Sequence, residues 1–295
     1  MRTCVILNPA AGRGCSPQRI RESISSIPEA EIRVSQAPDS VRPLAVEAVA
    51  DGFERIVAAG GDGTVSVIAS ALLDAGADVE CGLLPIGTGN DLALSLGVPT
   101  HPRRAVALLR EGDATPIDAI RASAQAATVP DLHAWNAVVG GFAGRISDRL
   151  SPGMKRRWRS LAYVRAAVAE LGELRPHRVV LEIDGRRTEQ EIWMLVIANG
   201  RYAGGGIPFA PAGRVDDGWL DVVVIRATSL ARLGVLIPRV LAGRHLADPT
   251  VEHTRARTVS VEAEPGFWFN VDGENWVSGS ATFGLRPRAL PFVRP

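Results

Sequence analysis

Three glycine-bearing turns, each directly after a short apolar run, constrain this chain more than any other feature. They are Asn8-Pro9-Ala10-Ala11-Gly12-Arg13-Gly14, Gly60-Gly61-Asp62-Gly63-Thr64 and Gly87-Thr88-Gly89-Asn90-Asp91. The runs before them, 3–7, 55–59 and 82–86, read as strands, as does 31–35. Helical patterns fall between, at 17–27, 42–50 and 65–73. Such alternation predicts a mainly parallel sheet with helices on its faces. Turns at the carboxyl ends of its strands then share one edge, where ligands bind. Glycine lets the backbone approach phosphate oxygens closely, and the N–H groups opening the next helix offer them partial positive charge. One such turn is usually just a turn; three in register, two of them carrying Asp, point to phosphate binding. None is a Walker A loop, since Gly-Lys-Ser/Thr is absent, and Ser66 replaces the last glycine of a dinucleotide fingerprint.

The pattern changes near Ile117. Segments around Val138 and at 178–183, 193–198, 220–225, 258–263 and 267–271 read as strands, several alternating apolar and polar residues. Helices are expected at 163–174 and 230–241, and the Ala-rich 122–128 reads as a turn or loop. The expected architecture is an α/β nucleotide-binding domain over 1–117 and a β-rich sandwich domain over 118–295, whose last residues can return to the first. A length of 295 residues suits two domains.

Composition removes several classes. A net charge of +1 gives no global argument for nucleic acid. Three cysteines with no Cys-x-x-Cys pair argue against a disulfide framework or structural zinc and suit a reducing cytoplasm. The apolar run before Asn8-Pro9 is too short for a secretory signal, and no stretch approaches a membrane span. Any membrane contact is expected to be peripheral, at the inner face, and a homodimer is compatible with the sequence. The five histidines show no metal-ligand spacing, with His101 and His245 read as surface residues, and no Gly-x-Ser-x-Gly elbow occurs.

The segment Ala58-Ala59-Gly60-Gly61-Asp62-Gly63-Thr64, with Leu84-Pro85-Ile86-Gly87-Thr88-Gly89-Asn90-Asp91-Leu92-Ala93, resembles the catalytic region of the diacylglycerol kinase family. That family includes sphingosine and ceramide kinases and soluble bacterial lipid kinases. Asn8-Pro9…Gly12-x-Gly14 is similar to its first nucleotide-contacting turn, and Asn270-Val271-Asp272-Gly273-Glu274 to its C-terminal catalytic motif. The matches span nearly the whole chain in order. The first domain also resembles 6-phosphofructokinases and NAD kinases; the Gly-Thr-Gly-Asn-Asp turn and the β-rich second half favour the lipid branch. One departure stands out: Ser66-Val67 occupies the place where the family usually has Asn-Glu. The departure falls at contacts near the nucleotide and leaves open whether activity is weakened or altered.

The resemblance implies an ATP-dependent kinase acting on a lipid hydroxyl, with diacylglycerol the default acceptor. Its rivals are an NAD kinase-like or sugar kinase on a soluble acceptor, and a non-catalytic nucleotide- or lipid-binding regulator. Phosphoryl transfer needs a held triphosphate, Mg²⁺ and a group positioning the attacking hydroxyl. Asn8, Pro9, Gly12, Ser35, Gly60, Gly61, Asp62, Gly63, Thr64, Ser66, Gly87, Thr88 and Asn90 form the nucleotide set. Asp62 is a hard Mg²⁺ ligand or the N-cap of a helix from Val65, two roles that can coexist; Asp91 is equally open as an N-cap. Asp272 and Glu274 are the base candidates, although Asp-Gly is also a strong hairpin signal. Family resemblance places acid–base work here, with Glu274 as base and Asp272 orienting it or binding metal through water. Relatives also place a structural Mg²⁺ at a position matching Asp217, with the carbonyls of Arg214 and Trp219; the plain alternative is a turn.

Lys155-Arg156-Arg157-Trp158-Arg159, ahead of an apolar stripe at Leu161, Val164, Val168 and Leu171, can face anionic headgroups or be a solvated turn before an amphipathic helix. Tyr202-Ala203-Gly204-Gly205-Gly206 is read as a flexible stretch that lines an acceptor cleft or is simply a loop.

Overall fold

The strands that precede the glycine turns are neighbours in one parallel sheet. In the computed structural model, which describes residues 1–11, 17–27, 29–76, 78–126, 128–141, 175–264 and 267–295, β1 (Thr3–Leu7) lies between β2 (Ala30–Val34) and β3 (Arg55–Gly60), and β3 pairs with β4 (Glu80–Pro85). The helices α1 (Pro17–Ile24), α2 (Val41–Ala50), α3 (Asp62–Ala75), α4 (Asp91–Leu96) and α5 (Pro102–Glu111) follow or connect them. The near-continuous apolar runs of β1 and β3 are buried along their whole length, as a strand covered by helices on both faces requires. Val5, Leu7, Val57 and Leu84 pack with Ile20 and Ile24 of α1 and Val106 and Leu109 of α5. Gly82 makes this packing tight: a Cβ there would stand 2.5 Å from Leu109.

Two compact units result, Met1–Ile117 with Arg288–Pro295, and Asp118–Pro287. The second unit is antiparallel. It comprises most of β5 (Ala114–Ala124), then β6 (Leu132–Ala134), β7 (Ala137–Gly141), β8 (His177–Ile183), β9 (Arg186–Ala198), β10 (Leu220–Arg226), β11 (Val251–Ala256), β12 (Thr258–Ala263), β13 (Trp268–Val271), β14 (Glu274–Ser278) and the start of β15 (Ala281–Val293), with α6 (Leu230–Leu241) between β10 and β11. The first half of β9 pairs with β8, and its second half lies between β7 and β10. Its core carries Phe267, Phe269 and Phe283, and Gly140 of β7 leaves room for the first two rings. β15 ends in the first unit, where Phe292 pairs in parallel with Cys81.

Several elements differ from their sequence expectation. The helix expected from Val65 begins at Asp62, because a first helical turn needs no intrahelical N–H partners and so accepts Asp-Gly-Thr. Ala122 to Ala124 finish β5 rather than form a loop, paired through Ile120–Ala122 with β6. β9 begins at Arg186, not Trp193; its polar first half is exposed on both faces and so lacks the alternation that marks a strand. His245 is fully buried, its Nε2 3.0 Å from the Phe209 carbonyl, so the surface reading fails for it, while His101 is exposed. The basic cluster 155–159 and the helix expected at 163–174 lie outside the described residues. No described helix is long and apolar enough to cross a membrane.

Candidate functional site

At the carboxyl edge of the parallel sheet, the turns are tied to one another by short contacts. Asn8 follows β1; its backbone N–H donates to Ala59 at 3.0 Å and its Nδ2 to Thr64 Oγ1 at 2.9 Å, while its Oδ1 accepts from Ala10 N. Pro9 is exposed beside it. Ser35 follows β2, is buried, and donates its N–H to the Leu7 carbonyl at 2.9 Å. Ile86 and Gly87, following β4, both donate to the Gly60 carbonyl. Thus Asn8, Ser35, Gly60, Gly61, Asp62, Gly63, Thr64, Gly87, Thr88 and Asn90 all fall on one edge, as a parallel sheet dictates. Gly12 lies outside the described residues.

The glycines are required by close approach. A Cβ on Gly87 would sit 2.3 Å from the Cα of Gly61 and 2.7 Å from Asn90 Oδ1. On Gly60 it would meet the Thr64 side chain at 2.4 Å. The two turns therefore touch backbone to backbone, and a side chain at either would push them apart.

Two helix N-termini open on this edge. Gly61 caps α3 in an extended conformation, so Asp62 is the first helical residue and not the cap. Its carboxylate instead accepts the backbone N–H of Leu92 at 3.1 Å, serving the first turn of α4. Asp91 is likewise the first residue of α4, buried, while Asn90 caps it with φ +56°. The Asn90 Nδ2 donates to the Gly87 carbonyl at 3.0 Å, and its Oδ1 is buried without a hydrogen-bond partner. Ser66 lies one turn after Asp62 on α3, half-buried. Glycine backbone, two helix N-termini and a carboxylate on one edge suit a polyphosphate with its counter-cation. Asp62, a half-buried hard oxygen donor, fits Mg²⁺ there.

The second unit holds the other candidates. Asp272 and Gly273 join β13 to β14 with φ of +46° and +99°, which makes the turn a type I′ hairpin. The hairpin reading is therefore correct, and it coexists with a directed carboxylate. Asp272 Oδ2 accepts Trp135 N at 2.7 Å, and its Oδ1 accepts Asn136 N at 3.1 Å and Ala137 N at 3.0 Å. Three successive amides hold one carboxylate, so Asp272 is oriented rather than free. Glu274 opens β14; its side chain lies outside what the structure describes.

Behind these amides is a buried polar group that the sequence reading did not single out. Asn199, at the end of β9, donates to the carbonyls of Asp118 and Trp135 at 2.8 and 2.9 Å. Asp118 in turn accepts Gly218 N at 2.8 Å. Asn136 donates its Nδ2 to the Tyr202 carbonyl. The signal was present in Asp118, a charge inside the apolar run Ile117-Asp118-Ala119-Ile120, and in Asn199 at the end of an apolar strand. The glycine stretch is a closed turn: Ala203 and Ile207 exchange hydrogen bonds at 3.0 Å around Gly204, Gly205 and Gly206, all at positive φ.

Asp217 sits in the turn before β10. Its Oδ1 accepts Trp219 N at 3.2 Å and its Oδ2 lies 3.3 Å from the Arg255 guanidinium. Arg214, exposed, bonds Asp216 at 3.3 Å. No group of three His, Cys, Asp or Glu converges among the described residues. A cation here would rest on Asp217 and the carbonyls of Arg214 and Trp219, and would share its carboxylate with Arg255. Among the described cysteines, burial pushes the Cys4 thiol up to about 11 and Cys81 further, so neither offers a thiolate nucleophile.

Comparison with known proteins matches residues 2–122 to the diacylglycerol kinase catalytic domain and residues 136–294 to the YegS C-terminal NAD kinase beta sandwich-like domain. A Pseudomonas putida protein named "Probable lipid kinase YegS-like" is 31% identical over 96% of this chain and 93% of its own length. A protein of the same name from Stenotrophomonas maltophilia is 35% identical over 83% of this chain and 80% of its own. A solved diacylglycerol kinase of Bacillus anthracis str. Sterne superposes with a TM-score of 0.78 at 22% identity, covering 100% of this chain and 97% of that one. The last establishes the fold.

Proposed function

The chain belongs to the diacylglycerol kinase catalytic-domain family, among the YegS-like lipid kinases, and from this premise we propose that it moves the γ-phosphate of ATP to diacylglycerol, giving phosphatidic acid. The observation that carries the reading is the edge on which Asp62 stands between the N-termini of α3 and α4, with Gly61 and Gly87 in backbone contact beside it. Such an edge holds phosphates by amides and dipoles rather than by a lysine.

In this reading Asn8 and Thr64 brace the first two turns, and the Gly60–Thr64 amides take the phosphates. Bound Mg²⁺, held by Asp62, would neutralise charge on the triphosphate. Asp272 fixes the hairpin through Trp135, Asn136 and Ala137, and Glu274 takes the proton of the lipid hydroxyl. A second cation at Asp217 would have a structural role. The lipid is met at a membrane surface, and the enzyme acts there peripherally.

Transfer of labelled phosphate from ATP to a panel of diacylglycerol, sphingosine, ceramide, NAD and simple sugars tests the acceptor. Label in phosphatidic acid supports the proposal. Label in NAD or a sugar, indifferent to lipid, would assign a soluble acceptor. Bound ATP without turnover on any acceptor would make the chain a regulator, for which Ser66-Val67 would be the first residues to exchange for Asn-Glu.

A further inference from the structure

We propose that the outward face of α6 is a docking surface for an anionic lipid bilayer. The inference deepens the lipid-acceptor reading and rests on it. The helix is apolar nearly all round. Leu233 and Leu236 are buried against Trp193, Met194, Val223 and Ile225. The opposite side is apolar as well: Leu230 is 39% and Val235 54% exposed, and Ala231, Gly234 and Pro238 are exposed with them. Positions 231, 234, 235 and 238 follow the helical repeat and form one stripe. A helix facing water on that side should carry charged residues there; this one carries none on the stripe.

Charge decides the occupant. Arg232 and Arg239 lie together along one side of the stripe, 41% and 47% exposed, and exposed Arg244 follows the helix. No Asp or Glu occurs from 229 to 247. The first acid, Asp248, is buried and faces inward, 3.1 Å from Arg232 and 2.6 Å from Arg239. One carboxylate against three guanidinium groups leaves the rim positive. An apolar stripe with a basic rim matches the acyl–headgroup boundary of an anionic leaflet. Asp248 also ties Arg232 and Arg239 to a single point, so the rim is held before contact. The tether extends inward through the turn after α6, where Gly243 packs on Pro208 and Pro211, and His245 meets the Phe209 carbonyl.

The test is cosedimentation of the full chain with phosphatidylcholine vesicles, with and without about one-third phosphatidylglycerol. Wild type is compared with Val235→Asp, Arg244→Glu and Val235→Leu, each checked by thermal melting and size-exclusion light scattering. Binding to the anionic vesicles, reduced about ten-fold by Val235→Asp and by Arg244→Glu and kept by Val235→Leu, is the expected result. Unchanged binding in both charged variants, or no binding by wild type, would overturn the proposal. So would a Val235→Asp variant that loses only a dimer, which would assign the face to a second copy of the chain. Vesicle binding that depends on Val235 in a protein that phosphorylates no lipid would leave this surface standing and sink the acceptor reading instead.

Discussion

The carboxylate of Asp62, on the first turn of α3, accepts the backbone N–H of Leu92 on the first turn of α4 at 3.1 Å. One side chain thus joins two helix N-termini on the edge assigned to the triphosphate. Its structural and its chemical duty can be separated by substitution.

Asp62→Asn keeps an oxygen acceptor for Leu92 but removes the charge. It is expected to melt close to wild type and to lose phosphoryl transfer by about a hundred-fold or more, as loss of a charge that neutralises the transition state does. Asp62→Ala should lose activity similarly and about 1 kcal/mol of stability besides, the usual cost of a lost cap. Calorimetry and initial rates on both variants check this. Undiminished activity in Asp62→Asn would leave Asp62 only its structural duty.

Gly87→Ala is expected to separate the two glycine turns, since its Cβ would fall 2.3 Å from the Gly61 backbone. Forced repacking of this kind costs about 1–3 kcal/mol. Nucleotide affinity, read by isothermal titration, should fall with it. By contrast Gly76→Ala, whose Cβ would meet nothing within 4 Å, should lower stability through its φ of +60° and leave nucleotide affinity intact.

Asp272→Ala strips the acceptor from the amides of Trp135, Asn136 and Ala137 at once. Unsatisfied N–H groups cost roughly 1–3 kcal/mol each where water cannot reach them. A melting temperature well below wild type is therefore expected, with Asp272→Asn between the two. Asn199→Ala, which frees the Trp135 carbonyl, should lower stability in the same unit and slow turnover more than it weakens ATP binding. A variant at Asp272 that melts like wild type would refute the three-amide clamp.

Much of this was legible in the sequence, for reasons visible residue by residue. Buried parallel strands need apolar runs and closely approaching turns need glycine, so β1, β3, β4 and their turns announced themselves. The start of α3 did not, because Asp62-Gly63-Thr64 reads as turn chemistry when it is the first turn of a helix. The polar half of β9 carried no alternation, and the role of Asp272 required knowing that Trp135 lies beside a residue 137 positions away. His245 looked like any surface histidine; only the fold encloses it.

Two pH windows follow from buried titratable groups in the second unit. Burial lowers the pKa of His245 from its ordinary 6.5, its bond to the Phe209 carbonyl only partly opposing this. Protonation then favours the unfolded chain, and stability should fall as pH drops below about 6.5. Asp248 is lowered as well, for a different reason: burial raises it, but Thr250 and Arg232 outweigh burial and hold it at about 2 against an ordinary 3.8. Its contribution to stability is present above 3.8 and lost as pH falls toward 2. Denaturant midpoints across pH should show two steps, the upper removed in His245→Gln and the lower in Asp248→Asn. A profile unchanged by either substitution would contradict both assignments.

The most direct test of the kinase account is ATP turnover with Mg²⁺ and diacylglycerol in mixed micelles, comparing wild type with Glu274→Gln, while ATP affinity is measured on the same samples. Wild type is expected to give phosphatidic acid, Glu274→Gln to lose turnover by about a hundred-fold or more, and the two to bind ATP equally well. Full turnover in Glu274→Gln would remove the acid–base role from the Asp272–Glu274 hairpin. Absence of phosphatidic acid from wild type that binds ATP would contradict diacylglycerol as the acceptor.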